Sequence, residues 1–249
     1  MKNLIEMAGG DQPLFGTWIS IPDPNVVEMA HRAGFDYIRI DNEYTPLDFG
    51  KMCELIRAAN LLDMPVFVRI SRMEDITSLI SFGASGIIVP DCNSVERARQ
   101  AINLIKYHSL GARGLNPGSR AFQISGLSGE EYIRRANRMV SLTIQIEDVK
   151  VAGFIDELLS LEGIDMVSSG RCDISQSLGV TGQVKDPRVR EMEMLIIDKA
   201  LEHGKVPVIL ISAREELAGM LARGVRVFTV GNDEVLLRNA MKRCLDEYR

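Results

Sequence analysis

Polar residues able to do chemistry recur where short apolar runs of this chain end. Asp41, Asn42, Glu43 and Tyr44 follow one run, Arg69 closes the next, and Pro90 and Asp91 follow a third. Gln145 and Glu147 lie two apart in a fourth, so in an extended strand both side chains leave from the same side. Ser168-Ser169-Gly170-Arg171-Cys172-Asp173 follows another run, Ser212 another, and Gly231-Asn232-Asp233 the last. Oxygen donors in this number suit a hard divalent ion, Mg²⁺ or Mn²⁺. No histidine sits at a run end: His31 falls inside a predicted helix, and His108 and His203 close helices. A zinc site of the histidine type is therefore not expected. Two carboxylates from neighbouring strands would hold an ion that polarises a ketone and stabilises an enolate oxygen. Arg69 offers a planar fork for a substrate carboxylate and positive charge beside the enolate. The same side chain would equally tie strands together by pairing with Asp41 or Glu147.

These residues need a scaffold that brings strand ends to one place, and the chain is patterned for one. A helix-like segment ending in Gly, followed by a β-rich run, appears at Gly34–Ile40, Gly83–Val89, Gly163–Val167 and Gly224–Val230. Glycine suits the left-handed position after a helix, and an unbroken apolar run reads as a strand covered on both faces. Leu14–Ile19, Val66–Ile70, Leu142–Ile146 and Val206–Ile211 complete a set of eight. Helices are predicted over roughly 25–33, 47–61, 75–82, 94–107, 129–138, 150–161, 187–203, 213–223 and 233–247. Ser212-x-x-Glu215, Ser128-x-x-Glu131 and Asn93-x-x-Glu96 read as capping boxes, and Asp186-Pro187 as a helix start. Eight alternating βα units with short loops predict a single closed (β/α)8 barrel, a TIM barrel, over residues 1–249. No GxGxxG follows the first strand, which disfavours a dinucleotide-binding sheet. Such a barrel carries its active site at the C-terminal ends of its strands, where the polar residues above fall.

One stretch breaks the rhythm. Gly111–Gly126 contains four glycines, a proline and the arginines Arg113 and Arg120. It reads as a long ordered loop over one barrel mouth, its arginines serving either an anionic acceptor or subunit pairing.

Composition excludes several classes. A formal charge of −5 without a basic run gives no nucleic-acid surface. No run of 18 apolar residues predicts a membrane helix, and Met1–Pro13 has no signal-peptide core, so a cytoplasmic protein is expected. Cys53, Cys92, Cys172 and Cys244 form no CxxC pair and are expected to be reduced thiols.

At its strand ends the sequence resembles the HpcH/HpaI aldolase family, the class II pyruvate aldolases. The resemblance runs from Phe15-Gly16-Thr17-Trp18 to Val230-Gly231-Asn232-Asp233. Its most specific segments are Ala33-Gly34-Phe35-Asp36, Asp41-Asn42-Glu43, Pro65-Val66-Phe67-Val68-Arg69, Gly86–Pro90, Gly111-Ala112-Arg113-Gly114, Gln145-Ile146-Glu147 and Asp173-Ile174-Ser175. The resemblance implies a barrel of the phosphoenolpyruvate/pyruvate type and a metal-dependent carbon–carbon lyase. Its substrate would be a 4-hydroxy-2-oxo acid, cleaved to a 2-oxo acid such as pyruvate and an aldehyde or acyl acceptor. It further implies Glu147 and Asp173 as ligands of Mg²⁺, Mn²⁺ or Co²⁺, Arg69 as the group that holds the enolate, and Asp41 as a carboxylate supporting the site. Gln145, Pro90 and the amides around Cys172 and Asp173 would contact substrate. The segment after Asp233 would form a domain-swapped helix in a homo-oligomer, from dimer to hexamer.

Three positions depart from the family pattern. Tyr44 stands where the family has the histidine of Asp-Gly-Glu-His, Ser81 where it has the aspartate paired with that histidine, and Gly170-Arg171-Cys172-Asp173 where it has Gly-Pro-Ala-Asp. Tyrosine, with an ordinary pKa of about 10, is a poor base at neutral pH but serves as a hydrogen-bond donor or general acid. Arg171 adds a cation which, with Arg113 and Arg120, would bind an acceptor rich in carboxylates or phosphate. Two other functions fit the same residues: a synthase condensing oxaloacetate with an acyl-CoA in the manner of citrate formation, and a catalytically silent metabolite-binding barrel.

Overall fold

Eight parallel strands close on one another in sequence order: β1 (Leu14–Ile19), β2 (Tyr37–Asp41), β3 (Val66–Arg69), β4 (Gly86–Val89), β5 (Ser141–Ile146), β6 (Met166–Ser169), β7 (Val206–Ile211) and β8 (Val227–Asn232). The computed structural model describes residues 2–249. The α/β barrel predicted from the alternation of elements is the fold, each strand falls within a residue or two of its expected limits, and β2, β4, β6 and β8 each start three residues after the turn glycine. Gly34, Gly83, Gly163 and Gly224, read as helix-ending glycines, all have φ between +91° and +126°, a region that side chains enter only with strain.

The strand period of two divides each strand between two cores. Outward residues such as Ile38, Ile40, Val66, Val68, Ile87, Val89, Ile144 and Val167 are buried against the surrounding helices. Inward residues change character along the barrel axis. At the N-terminal end Leu14, Tyr37, Phe67, Ile88, Met166, Val208 and Val227 form an apolar plug, to which Leu4 is added. Leu4 belongs to α1 (Leu4–Ala8), whose cap Asn3 accepts from the amides of Ile5 and Glu6. This helix, barely more than a turn, carries too little periodicity to be read from sequence. Towards the C-terminal end the inward positions become polar and stay buried: Arg39, Asp41, Arg69, Thr143, Gln145, Glu147, Ser168 and Thr229. Burial of this kind is stable only where the groups satisfy one another or a ligand. Strand register sets their heights, with Asp41 beside Arg69, Trp18 beside Arg39 and Gln145 beside Ser168.

The helices are α2 (Pro24–Arg32), α3 (Phe49–Leu61), α4 (Ile76–Phe82), α5 (Val95–Ile105), α6 (Arg120–Ser125), α7 (Gly129–Met139), α8 (Ile155–Leu159), α9 (Arg171–Ser177), α10 (Pro187–Glu202), α11 (Arg214–Ala222) and α12 (Asp233–Asp246). The capping box at Ser128 forms as expected, and Asp186 caps α10 with Pro187 in its first turn. The expected box at Asn93 shifts by one residue, because Ser94 accepts from the Arg97 amide. The one at Ser212 does not form. Ala213 is the cap, and Ser212 Oγ reaches towards Glu216 at 3.5 Å. The helix predicted over 150–161 is split into a 3₁₀ turn at Val149–Gly153 and α8, with Phe154 out of helical geometry at φ −141°.

The glycine-rich stretch 111–126 departs furthest from expectation. Its second half is helical, as α6, and it packs beside the C-terminal ends of α3 and α4, on the side opposite the strand-end polar residues. Arg120 Nη1 donates to Asn60 Oδ1 at 2.8 Å and to the Phe82 carbonyl at 2.6 Å, at the C-terminal ends of α3 and α4. Arg113 is buried, its guanidinium lies 4.7 Å from the Tyr107 ring centroid, and Nη2 donates to Ser81 Oγ at 3.2 Å. Neither arginine reaches the strand-end carboxylates, so the expectation that they bind an acceptor is corrected: helices in βα units return to the N-terminal side, and these arginines stitch helix ends there. Replacing Arg120 by alanine should lower unfolding stability by about 1–3 kcal/mol, through loss of two hydrogen bonds to a cation, and leave turnover within about twofold. Urea midpoints alongside steady-state rates test this. A large fall in kcat at unchanged stability would restore the catalytic reading.

Candidate active site

At the C-terminal ends of the strands a cavity of about 400 Å³ opens between β1, β2, β3 and β5 to β8, with Trp18, Asp41, Tyr44, Arg69, Gln145 and Asp173 among its walls. Arg69, at the end of β3, is held by the neighbouring strand. Its Nε donates to Asp41 Oδ1 at 3.0 Å and its Nη2 to Asp41 Oδ2 at 2.7 Å, a two-point clamp, while Nη1 lies 3.1 Å from Glu43 Oε2. Asp41 also accepts the Glu43 amide at 3.0 Å, which folds the segment after β2 over the site. The guanidinium carbon of Arg69 is 4.5 Å from the Trp18 ring centroid and 4.9 Å from that of Tyr44. Arg69 thus takes up the strand-tying role that its position allowed, through Asp41 and not through Glu147, while its surface still faces the cavity.

Gln145 and Glu147, read as sharing a side of β5, touch: Gln145 Nε2 donates to Glu147 Oε1 at 2.5 Å. The other oxygen, Oε2, accepts the backbone amide of Asp91 at 2.6 Å. Asp91 adopts φ +50°, an uncommon conformation for a residue with a side chain, and its amide supplies that bond. Glu147 abuts Gly170, where a Cβ would come within 2.5 Å of Oε1. The glycine in the turn after β6 therefore leaves room for this carboxylate. Burial is the main cause that pushes the Glu147 carboxyl up to about 7, with the charges of Asp173 and Glu43 adding to it and the Asp91 amide and Gln145 opposing. Burial raises Glu43 as well, against the pull of Arg69 and with Asp41, Asp173 and Asp91 repelling.

Asp173 lies in the first turn of α9, a seven-residue helix outside the helices predicted from sequence, which no side chain caps. The first-turn residues Arg171, Cys172 and Asp173 all border the cavity. Arg171, expected as a free cation for an acceptor, is engaged: Nε donates to Glu193 Oε1 at 2.7 Å and Nη2 to Glu216 Oε2 at 3.1 Å. Glu193 is buried in α10 and also takes Arg190 at 2.9 Å. These partners lie far along the sequence, so pairing was not legible in the residues around Arg171. Pro90 is not part of the cavity wall; its carbonyl accepts from Arg97 at 3.3 Å. Asp233 accepts the amides of Ser20 and Ile21 at 2.8–3.0 Å and so sews α12 to the end of β1.

Tyr44 is 66% exposed at the rim. Burial, then the negative charges of Glu43, Asp173 and Glu147, keep its hydroxyl above the usual tyrosine range, so it stays protonated and can donate. Ser81, at the position matched to the dyad aspartate, sits in the last turn of α4 and takes Arg113 instead. Within one chain it lies at the opposite end of the barrel from Tyr44, so the two do not form a pair. Trp18 and Arg39 are among the cavity residues to which sequence reading assigned no role. Trp18 carries two guanidiniums, and Arg39 stands on β2 two residues before Asp41. A cation inside an apolar strand run was the available signal.

Among the described residues no three His, Cys, Asp or Glu side chains are arranged to hold a metal ion. The Glu147–Asp173 pair nevertheless suits a hard cation. It sets a half-buried carboxylate, Asp173, beside a buried one, Glu147, and Mg²⁺ typically takes one or two carboxylates and completes its shell with water and substrate oxygens.

The closed parallel barrel is an α/β-barrel scaffold with a polar mouth, and the family match and aldolase-named relatives support a carbon–carbon lyase of the class II aldolase type. The chain belongs to the HpcH/HpaI aldolase/citrate lyase family, whose family model matches residues 14–240. It is 26% identical to a 5-keto-4-deoxy-D-glucarate aldolase of Shigella dysenteriae, over 96% of this chain and 93% of that protein. It is 29% identical to a hydroxypyruvate/pyruvate aldolase of Roseobacter denitrificans, over 93% and 91%. The crystal structure of the citrate synthase SbnG superposes with a TM-score of 0.91 at 29% identity, covering 99% of this chain and 97% of that one. No helix among the described residues is long and apolar enough to cross a membrane.

The raised Glu147 carboxyl makes a prediction for the metal-free protein. Its folded-state pKa of about 7 lies above the ordinary 4.5, so the fold favours the neutral form. Stability from this group is fully present below pH about 4.5 and is lost as the pH rises through 7. In EDTA, Glu147→Gln should therefore gain melting temperature over wild type as the pH is raised from about 5 to 8. Curves that stay parallel across that range would contradict the assignment.

Proposed function

We propose that the protein is a divalent-metal-dependent aldolase that cleaves or forms 4-hydroxy-2-oxo acids, with pyruvate or a similar 2-oxo acid as the enolate partner. The observation carrying this reading is that Arg69 and Asp173 border one cavity while Glu147 presses on its wall at Gly170. Family members generally depend on a divalent metal, and Mg²⁺ or Mn²⁺ suits this oxygen-only set best. Glu147 and Asp173 would hold the ion, which would supply Lewis acidity towards a 2-oxo carbonyl.

The protein's own groups do the rest. Gln145 and the Asp91 amide fix the Glu147 carboxylate in one orientation. Arg69, immobilised by Asp41, places a guanidinium where negative charge develops on the enolate. Asp41 is thereby a positioning residue. The first turn of α9, around Cys172 and Asp173, offers backbone amides to the 2-oxo acid's carboxylate. Tyr44, protonated at the rim, donates to the acceptor oxygen, a donor's role in place of a base's. Arg171, already shared between Glu193 and Glu216, holds the start of α9 against α10 and α11. The site acts on a small-molecule substrate at a mouth left open, and we place the enzyme in the cytoplasm. The exposed Leu237, Met241 and Leu245 of α12 suit burial in a homo-oligomer.

A second reading, condensation of oxaloacetate with an acyl-CoA, is favoured by the similarity to SbnG and by the absence of the family histidine at Tyr44. It fits less well than the aldolase reading, which the curated relatives share.

Deuterium exchange into the pyruvate methyl group separates the readings. The aldolase should exchange it with Mg²⁺, Mn²⁺ or Co²⁺ and stop in EDTA, whereas a synthase should instead release CoA thiol when given oxaloacetate. Arg69→Lys, which keeps charge but loses the fork, should slow exchange about 100-fold or more. Exchange that persists undiminished in EDTA and in that variant would remove the proposal. Tyr44→Phe should leave exchange intact and lower aldol turnover by about 10- to 100-fold, and unchanged turnover would deny Tyr44 a catalytic role.

A further inference from the structure

Glu193 is a carboxylate set among apolar residues. It is 1% exposed and is buried with Val189, Met192, Ile196 and Ile197 of the same helix, α10. Its oxygens gather three donors. Oε1 accepts from Ser169 Oγ at 3.2 Å and from Arg171 Nε at 2.7 Å, and Oε2 accepts from Arg190 Nη1 at 2.9 Å. Arg171 Nη2 reaches Glu216 Oε2 on α11 at 3.1 Å, and Arg190 approaches the same oxygen at 3.8 Å. Two guanidiniums and two carboxylates thus close a neutral cluster beside the barrel mouth.

Ser169 and Arg171 flank Gly170, the residue that packs on the Glu147 carboxylate. Glu193 therefore grips the turn between β6 and α9 on both sides of that contact. The Gly170 amide donates to the Ile146 carbonyl at 3.1 Å, so β5 holds the turn from the other direction. Asp173 follows in the first turn of α9. The two carboxylates are fixed in different ways. Glu147 accepts two hydrogen bonds of its own, from Gln145 and from the Asp91 amide. The Asp173 carboxylate accepts none among the described residues, so the backbone of α9 alone sets where it stands. A seven-residue helix has little hold of its own. Its second half is fastened by buried Ile174 and by Ser175, whose Oγ accepts the Gly182 amide at 2.9 Å. Its first turn is fastened by Arg171. A buried ion pair is a poor route to stability, since apolar residues of similar volume often serve as well or better. What charges add is direction.

We infer that Glu193 is a positioning residue for the metal site: through Ser169 and Arg171 it sets the turn between β6 and α9 and so holds Asp173 where it shares one cation with Glu147. That role presupposes the reading above, in which these two carboxylates hold the ion. Glu193 is not a further ligand, because both its oxygens are engaged by protein donors. The departure at Arg171, where the family pattern has proline, gains a physical reason. An arginine there needs a buried acceptor, and α10 supplies one. Groups that orient a metal ligand without touching the metal typically govern about 10- to 100-fold in metal affinity.

The test is Mn²⁺ binding to the full-length protein, read from the paramagnetic resonance signal of the free ion, beside melting temperatures taken in EDTA. Glu193→Gln keeps the shape of the side chain and should weaken Mn²⁺ binding about 10-fold or more. That variant also loses stability, because it leaves Arg171 short of its partner. A paired replacement, Arg171→Leu with Glu193→Leu, separates the two effects. It removes both charges together, so its melting temperature should return to within about 3 °C of wild type or exceed it. Its Mn²⁺ affinity should stay weakened about 10-fold or more, because nothing then directs the turn. The role is overturned if the paired variant binds Mn²⁺ as wild type does, or if Glu193→Gln leaves the affinity unchanged. It is equally overturned if neither variant folds, since the cluster then serves stability alone. Wild type that binds no Mn²⁺ removes the proposed function and this role with it, whereas loss confined to the variants' comparison removes this role only.

Discussion

Arg69 spreads one positive charge over two carboxylates, clamping Asp41 through Nε and Nη2 and facing Glu43 through Nη1, in a mouth that also holds Glu147 and Asp173. Negative charge exceeds positive here, and burial makes the excess costly. The strain appears as carboxyls of Glu43 and Glu147 raised above their ordinary range. On the proposed reading, a divalent cation and an anionic substrate arriving together would relieve it, the cation answering the carboxylates and Arg69 the substrate.

The barrel tolerates that arrangement because its interior is layered. The apolar floor of Leu4, Leu14, Tyr37, Phe67, Met166 and Val208 supplies cohesion, and the helices add a second apolar layer outside the sheet. Polar inward positions start at the edge of this floor, with Arg39 beside Phe67 and Thr143 beside Met166, and continue above it. Small local devices then aim the groups: Asp91 in a left-handed conformation points its amide at Glu147, and Gly170 leaves the space that Glu147 occupies. Arg39 and Trp18 lie at the border between the layers, where a charge is desolvated yet still reaches the cavity.

The two ends of the barrel divide the arginines between them. Arg113 and Arg120 lock the turns on the N-terminal side, while Arg39, Arg69 and Arg171 serve the C-terminal mouth. The separation of Tyr44 from Ser81 follows from the same geometry. Strand ends and helix ends of successive βα units point to opposite faces, so the two positions do not meet inside a single chain.

Strand–helix alternation, the glycines after helices and the spacing of Gln145 and Glu147 are local properties, and each was legible in the sequence. Periodicity and backbone preference act over a few residues, which is why the fold class, the strand limits and the polar strand ends followed from reading the chain. The pairing of charges did not. Arg171 meets Glu193 and Glu216, and Arg69 meets Asp41 and not Glu147, because strand register and helix docking choose neighbours across long stretches of chain. The α6 and α9 turns were missed because each is too short for periodicity to mark. Arg39 was visible as a charge in an apolar run, but only tertiary structure decided that it faces inward with one donor unanswered, since burial and partnership belong to the assembled barrel and not to any segment of it.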